Sequence, residues 1–252
     1  MTSRPKISCL TITEGRPEWA EWLAWNYNKQ TYPAELRELI VVLGEEDRRT
    51  REILQAEVPN VVFHEVAAGE RVPVKRNAAM SLACGDFVTW FDDDDWSSRR
   101  RVEAAVGQLK DGDAAFLAAP TYLFYYNLYK QKARGFKCSL WAYGLYSKQL
   151  LCNLVPFKPD SIRGSDSDWI RDVVNRAMAD DLSISKRPMP QHAFAVSHRR
   201  NISNSWCKAS TPGNYSYTLE DVHKVLEVSD EDWAVTESFL RKIRKIHFPE
   251  LS

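Results

Sequence analysis

The stretch Phe87-Val88-Thr89-Trp90-Phe91-Asp92-Asp93-Asp94-Asp95-Trp96 decides the reading of this chain. Aromatic and β-branched residues run straight into four consecutive carboxylates. A short run of this kind, bounded by polar residues, reads as a buried strand. Adjacent unit charges repel by roughly 1 kcal/mol per pair at ~4 Å in water, and by more in a cleft. A strand end that carries four of them calls for a cation. Hard divalent ions such as Mg²⁺ or Mn²⁺ take carboxylate oxygens and keep positions open for phosphate. Open α/β sheets bind ligands beyond the carboxyl ends of their strands. The run therefore predicts a metal–phosphate site; the alternative is an acidic turn that caps the next helix.

Working outward, the flanking segments alternate between strand and helix patterns. Ile7–Thr13 reads as a short buried strand. Pro17 suits the first turn of a helix, and Trp19, Trp22, Leu23 and Tyr27 recur at spacings of three and four. Gln30-Thr31-Tyr32-Pro33 reads as a turn, and Leu39–Leu43 as a continuous apolar strand of the kind found in a sheet covered on both faces. A charged helix over about Asp47–Glu57, a strand at Val61–Glu65 and a helix over about Val74–Ala83, with Gly85 as its stop, lead to the Asp run. Ser97 or Ser98 is placed to cap a helix carrying Val102, Ala105, Val106 and Leu109. This order predicts an α/β fold: a mostly parallel central sheet with helices on both faces. After about Ala114 the pattern changes. Ala115–Tyr129 is rich in aromatic residues and strand formers, Gly135–Tyr146 can pair with it as an antiparallel hairpin, and helices are expected at Asp168–Met178 and near Glu231–Ile246. We expect a single domain over residues 1–252, with a nucleotide half up to about residue 110 and a smaller antiparallel, acceptor half from about 111.

Composition narrows the function classes. The 252 residues are 44% hydrophobic and 27% charged, with a formal net charge of zero. Such a chain has no global pull toward nucleic acid or membranes. Basic residues do cluster at Arg99-Arg100-Arg101, His198-Arg199-Arg200 and Arg241–Lys245, which as read here are solvated faces or anion contacts. The five cysteines lack a CxxC pair, which argues against a disulfide framework or a zinc site and fits a reducing, cytoplasmic setting. No apolar leader segment and no run of 18 apolar residues is seen, so no signal peptide or membrane span is expected.

Four segments, in order, resemble family 2 glycosyltransferases. Ile7–Glu18 (ISCLTITEGRPE) is similar to the opening VSVIIPTYNRPE of that family. Gln30-Thr31-Tyr32-Pro33 followed by Leu39–Val42 is similar to QTYP…EIIVV. Lys75-Arg76-Asn77-Ala78-Ala79 with Ala83–Phe87 resembles ARNxGxxxAxGEY, and the Asp run falls where the family carries DxDD. The match covers about residues 5–110. Two later islands follow in the expected order: Gly164-Ser165-Asp166-Ser167-Asp168-Trp169 resembles G-E-D-x-D-[FW], and Val196–Ser203 resembles the RHGxNxS segment.

The resemblance implies a GT-A fold and inverting transfer of a sugar from a nucleotide sugar, with a UDP-sugar as the first expectation and Mn²⁺ or Mg²⁺ as the cofactor. It makes Asp166 the catalytic base. It assigns the metal to Asp94, Asp95 and His198, with Asp92 as a helper, and donor binding to Thr13, Arg16, Lys75, Arg76, Asn77, Asp92 and Asp93. Trp96 and Trp169 are the aromatic residues expected to stack on a sugar, ahead of Trp141, Tyr143 and Trp206. The chain departs from the family where the base-reading Asp after the second strand is Leu43; Glu45, Glu46 or Asp47 stands in, with Glu45 as the choice. Gly15 replaces the usual Asn, and Ser165 the usual Glu. The acceptor is open among glycans, proteins, small molecules and 5-hydroxymethylated DNA bases, and Arg200–Tyr217 is the candidate lid. The competing readings are a nucleotidyltransferase, for which the Thr13–Pro17 loop has too few glycines, and a carbohydrate- or nucleic-acid-binding homologue without catalysis.

Overall fold

Alternation along two neighbouring strands sets the layers. β1 (Ile7–Ile12) and β2 (Arg37–Gly44) pair in parallel, Ile7 beside Arg37 and Ile12 beside Val42. Ile7, Cys9, Leu39, Val41 and Leu43 fall on one face, and Leu10, Ile12, Ile40 and Val42 on the other. Period-two side chains on a strand buried on both faces produce this division. The first face packs against α1 (Pro17–Asn28) through Leu23 and Tyr27, against α2 (Arg48–Glu57) through Leu54, and against α4 (Arg101–Val106) through Val102. The second packs against α3 (Val72–Leu82) through Ala79 and against α6 (Ser165–Ala179) through Trp169, Val173 and Ala177. The structure is a computed structural model that describes residues 4–110, 112–118, 123–136, 140–152, 156–158, 165–187, 193–198, 217–226 and 228–251.

The remaining strands are β3 (Val62–Val66), β4 (Phe87–Trp90), β5 (Trp96–Ser97), β6 (Asp113–Ala118), β7 (Leu123–Asn127), β8 (Lys132–Phe136), β9 (Leu140–Ser147), β10 (Ser183–Arg187) and β11 (Ala193–Ser197). The main sheet has seven strands in the order β10-β6-β9-β4-β1-β2-β3. Among the described strands of this sheet only β9 runs antiparallel to its neighbours. The chain builds β1, β2 and β3 outward in one direction, then crosses back to lay β4 on the other side of β1. That reversal opens a crevice at the carboxyl ends of β1 and β4, where ligands bind in sheets of this class.

A second sheet, β5-β11-β7-β8, stands beside the first. With α7 (Leu219–Val225), α8 (Asp230–His247) and the outer side of α1 it encloses a third core that holds Trp19, Trp22, Trp96, Phe124, Phe194, Val222, Trp233 and Leu240. Both late helices are well capped: Thr218 and Asp221 form a reciprocal capping box, and the Ser229 hydroxyl accepts from the Asp232 N–H. α5 (Lys148–Cys152) follows β9. No described helix is long and apolar enough to cross a membrane.

Three local expectations change. The expected antiparallel pairing of Ala115–Tyr129 with Gly135–Tyr146 is present but divided between the two sheets, since β9 keeps β6 as its partner. β8 pairs with β7 in the second sheet, while β9 crosses into the main sheet between β4 and β6. Gly85 is not the helix stop: Ala83 caps α3 in an extended conformation, and a Cβ at Gly85 would lie 2.8 Å from the Lys6 carbonyl oxygen and the Ser8 nitrogen. Glycine there serves a close backbone approach. Ser97 and Ser98 do not cap α4, which begins at Arg101 without a side-chain cap and ends at Val106, short of Leu109. The Ser97 hydroxyl instead accepts from buried Arg101 at 2.8 Å, and Arg101 also donates to the Trp90 carbonyl.

Candidate active site

The loop after β1 is fixed before it reaches the Asp run. The Thr13 N–H donates to the Val42 carbonyl at 3.0 Å. Glu14 accepts from Lys75 Nζ at 2.5 Å and from the Gly69 N–H, and the Gly15 N–H donates to Asp47 at 2.9 Å. Gly15 has φ +59°, in the left-handed region that glycine and asparagine tolerate, so the exchange of the family's Asn for Gly keeps the turn. Burial works against the Glu14 carboxylate, but the bonds from Lys75 and Gly69 hold it below its usual range.

This braced loop delivers two side chains to the carboxyl end of β4. Thr13 Oγ1 donates to Asp93 Oδ2 at 2.6 Å. Arg16 forms a fork: Nη2 reaches Asp93 Oδ1 at 2.6 Å and Nη1 reaches Asp94 Oδ2 at 2.9 Å. His198, directly after β11, places Nε2 3.0 Å from the same Asp94 oxygen and is fully buried. β11 arrives there because it pairs antiparallel with β5, which immediately follows the Asp run, and the Val196 N–H donates to Asp95 Oδ1 at 3.3 Å. The Asp95 carbonyl is held from behind by Trp22 Nε1 and Asn26 Nδ2.

Within this cluster two buried carboxylates share one guanidinium. Burial raises the Asp93 carboxyl above its usual range, and the neighbouring Asp94 adds to that against the pull of Arg16. Burial acts on Asp94 in the same sense, but Arg16 and His198 outweigh it and hold its carboxyl low. Asp94 is thus the anionic centre of the cluster.

The residues present fit a divalent ion. Among the described residues no three His, Cys, Asp or Glu side chains form a ready-made metal cage. Mg²⁺-type ions at phosphate sites need only one or two protein ligands, because substrate oxygens and water supply the rest. Ligands about 2.1 Å from an octahedral ion stand about 3.0 Å apart along an edge, which is the spacing between Asp94 Oδ2 and His198 Nε2.

Other predicted residues sit elsewhere or do something else. Asn77 spends both side-chain polar groups on the Phe157 backbone, at 3.0 and 2.8 Å, so it ties α3 to that segment instead of facing a donor. Arg76 is buried, with its guanidinium over the rings of Trp90 and Phe157 at 5.3 and 5.2 Å. Trp96 is fully buried, stacked on Phe194 and donating to Thr236 at 3.0 Å. Trp169 is buried between Phe157 and Tyr146. Neither tryptophan presents a face to a sugar: large apolar rings at these positions fill cores. Glu45 is exposed at the end of β2, and Asp47 is the acid that joins the two loops. Asp92 and Asp95 are half-buried beside the cluster. Asp166 lies in the first turn of α6; Trp206, Arg199, Arg200 and all of the candidate lid but Tyr217 lie outside the described residues. Of the basic clusters, Arg99 forms a bidentate pair with Asp232, Arg241 pairs with Glu237 and Lys242 with Glu21.

Sequence reasoning missed Trp22, Asn26 and Gln30, which brace Asp95 and Ser98. The signal was present: polar residues at a spacing of four interrupt the apolar face of α1.

The glycosyl transferase family 2 sequence profile matches residues 24–174. The chain belongs to this family. Among curated protein sequences no relative matches it. Solved structures that resemble it include S. aureus TarS, with a TM-score of 0.60 at 16% identity over 77% of this chain and 37% of that one. TarS 1-349 in complex with UDP-GlcNAc superposes with a TM-score of 0.59 at 15% identity, over 97% of this chain and 73% of that one. The mannosyltransferase PcManGT from Pyrobaculum calidifontis, in complex with GDP-Man and Mn²⁺, gives a TM-score of 0.58 at 17% identity, over 81% of this chain and 60% of that one. The chain thus spans 37% of the first of these TarS chains and 60% of PcManGT, less than two thirds of either. The fold is the GT-A fold of these glycosyltransferases, and the chain is a glycosyltransferase by family.

Proposed function

We propose that the chain transfers a glycosyl group from a nucleotide sugar to an acceptor hydroxyl, with inversion at the anomeric carbon and with a divalent ion in the crevice. The observation that carries the reading is the convergence of Arg16 and His198 on Asp94 at the switch point of the sheet, in a family 2 chain. In this reading residues up to about 110 hold the donor and later residues hold the acceptor. The neighbours whose structures contain UDP-GlcNAc, or GDP-Man with Mn²⁺, support a nucleotide-sugar donor. A UDP-sugar is our first choice.

Asp94 and His198 would hold the ion, with Asp95 and Asp92 beside them. When bound, a divalent ion supplies Lewis-acid neutralisation of the charge that develops on a diphosphate leaving group. Arg16 is placed to turn from Asp93 and Asp94 toward that diphosphate, and Thr13 and Lys75 keep its loop in place. Asp166 would accept the proton of the acceptor hydroxyl as that oxygen attacks from the face opposite the leaving group.

Two measurements test this. Titration of nucleoside diphosphates and nucleotide sugars with and without Mn²⁺ should find one base whose binding needs the metal and is lost in Asp94→Ala; no binding by any of them would sink the reading. Asp166→Asn should lower kcat by about 10²–10⁴-fold and leave donor affinity nearly unchanged. An equal loss of donor affinity would show that Asp166 has another role.

A further inference from the structure

Behind His198 lies a buried acid–histidine pair that the mechanism above does not use. His247, in the last turn of α8, places Nε2 3.3 Å from Glu18 Oε1, in the first turn of α1. Both side chains are largely shielded, at 3% and 12% exposure. Each stands where its helix favours it, since acids are stabilised at helix N-termini and histidine at C-termini. The His247 ring also contacts His198, with ring centroids 4.8 Å apart, and Trp19 contacts both, at 4.7 and 6.0 Å. The three rings thus pack against one another around His198.

A histidine ring turns about χ2 in a broad, roughly two-fold well. A half-turn of His198 would swap Nε2, now 3.0 Å from Asp94, for a ring carbon. A half-turn leaves the outline of the ring nearly unchanged, so packing does not choose between the two; contact with the Trp19 and His247 rings fixes the plane in which Nε2 meets Asp94. Trp19 is anchored by its helix and by Phe239, 5.7 Å away; His247 is flanked by Glu18 at an ion-pair distance of 3.3 Å, without the alignment of a hydrogen bond. We propose that Glu18 and His247 are positioning residues that hold the His198 ring toward Asp94, so that the last turn of α8 forms part of the metal–donor site. The proposal rests on the reading of Asp94 and His198 as metal ligands.

The experiment is Mn²⁺ binding followed by electron paramagnetic resonance, with Mn²⁺ alone and with UDP, on the wild type, His198→Ala, His247→Phe, His247→Gln and Glu18→Gln, with a thermal melt of each. Residues that orient a metal ligand typically change affinity by 10–100-fold. We expect His247→Phe and Glu18→Gln each to weaken Mn²⁺ about tenfold, and His247→Gln, which keeps a polar group opposite Glu18, to recover part of the loss. Loss of melting temperature with wild-type Mn²⁺ affinity in both His247→Phe and Glu18→Gln would make the pair purely structural and overturn the proposal. If His247→Phe fails to fold, Glu18→Gln decides alone. Wild-type affinity in His198→Ala, or no Mn²⁺ binding by the wild type, overturns the metal reading itself. Weak binding in His198→Ala but not in the other variants overturns this inference alone.

Discussion

The two ends of the strands around β1 treat their acidic residues differently. At the amino ends Glu38 accepts from Ser8 Oγ at 2.5 Å, the Cys84 N–H at 2.8 Å and Lys6 Nζ at 3.0 Å, while Asp86 accepts from the Lys6 N–H at 2.7 Å. Burial acts against the Glu38 carboxylate, but those three donors outweigh it and keep it below its usual range. At the carboxyl ends Asp93 and Asp94 are buried side by side and divide one arginine between them. An acid whose lone pairs are met by nearby donors belongs to the fold. Two buried carboxylates that share one guanidinium repel each other, and under the function proposed above a cation would relieve that repulsion.

The sharpest way to break this comparison is Asp94→Ala. We expect glycosyl transfer to fall by about 10³-fold, as several kcal/mol of transition-state stabilisation are lost, and the melting temperature to fall as well, because Arg16 and buried His198 lose their shared acceptor. Activity close to wild type would move the site elsewhere. Arg16→Met comes next. It leaves two buried carboxylates without their guanidinium, a kind of loss that costs about 3 kcal/mol. Denaturant unfolding should show that loss, and Mn²⁺ should reverse much of it, because an ion that binds only the folded state stabilises it. A loss that Mn²⁺ does not touch would mean that Arg16 is a structural partner only. The smallest effect belongs to the amino end. Glu38→Gln should cost about 1 kcal/mol at neutral pH, given partial solvent screening, with activity unchanged. Because the folded-state pKa of Glu38 is depressed, the wild-type advantage is present above about pH 4.5 and shrinks as pH falls through the folded value. An advantage that grows on acidification would contradict the hydrogen bonds assigned here.

The parts legible in the sequence are those set by short-range pattern. Apolar runs at Ile7–Thr13 and Leu39–Leu43, helix-period residues from Trp19 to Tyr27 and the Asp run at a strand end gave elements close to those observed at Ile7–Ile12, Arg37–Gly44 and Pro17–Asn28. They also placed Thr13, Arg16, Asp93, Asp94 and His198 in segments that the fold brings together. What local pattern does not give is the partner distant in sequence. Trp96, Trp169, Asn77 and Arg76 were assigned to the donor because they adjoin or match site motifs, but Phe194, Phe157 and Trp90 claim them. Adjacency along the chain does not say which way a side chain points once a strand has ended.

By itself, the sequence determined the α/β layering and the acidic strand end, since periodicity and charge repulsion act between neighbours in the chain. Only the tertiary structure decided which of the four Asp carboxylates meets Arg16 and His198, why the β6–β9 and β7–β8 pairs fall in different sheets, and how Glu18 and His247 close behind the site. Those outcomes depend on burial and on contacts between residues far apart in sequence, where the loss of solvent and the fit of rings, not local pattern, set the free energy.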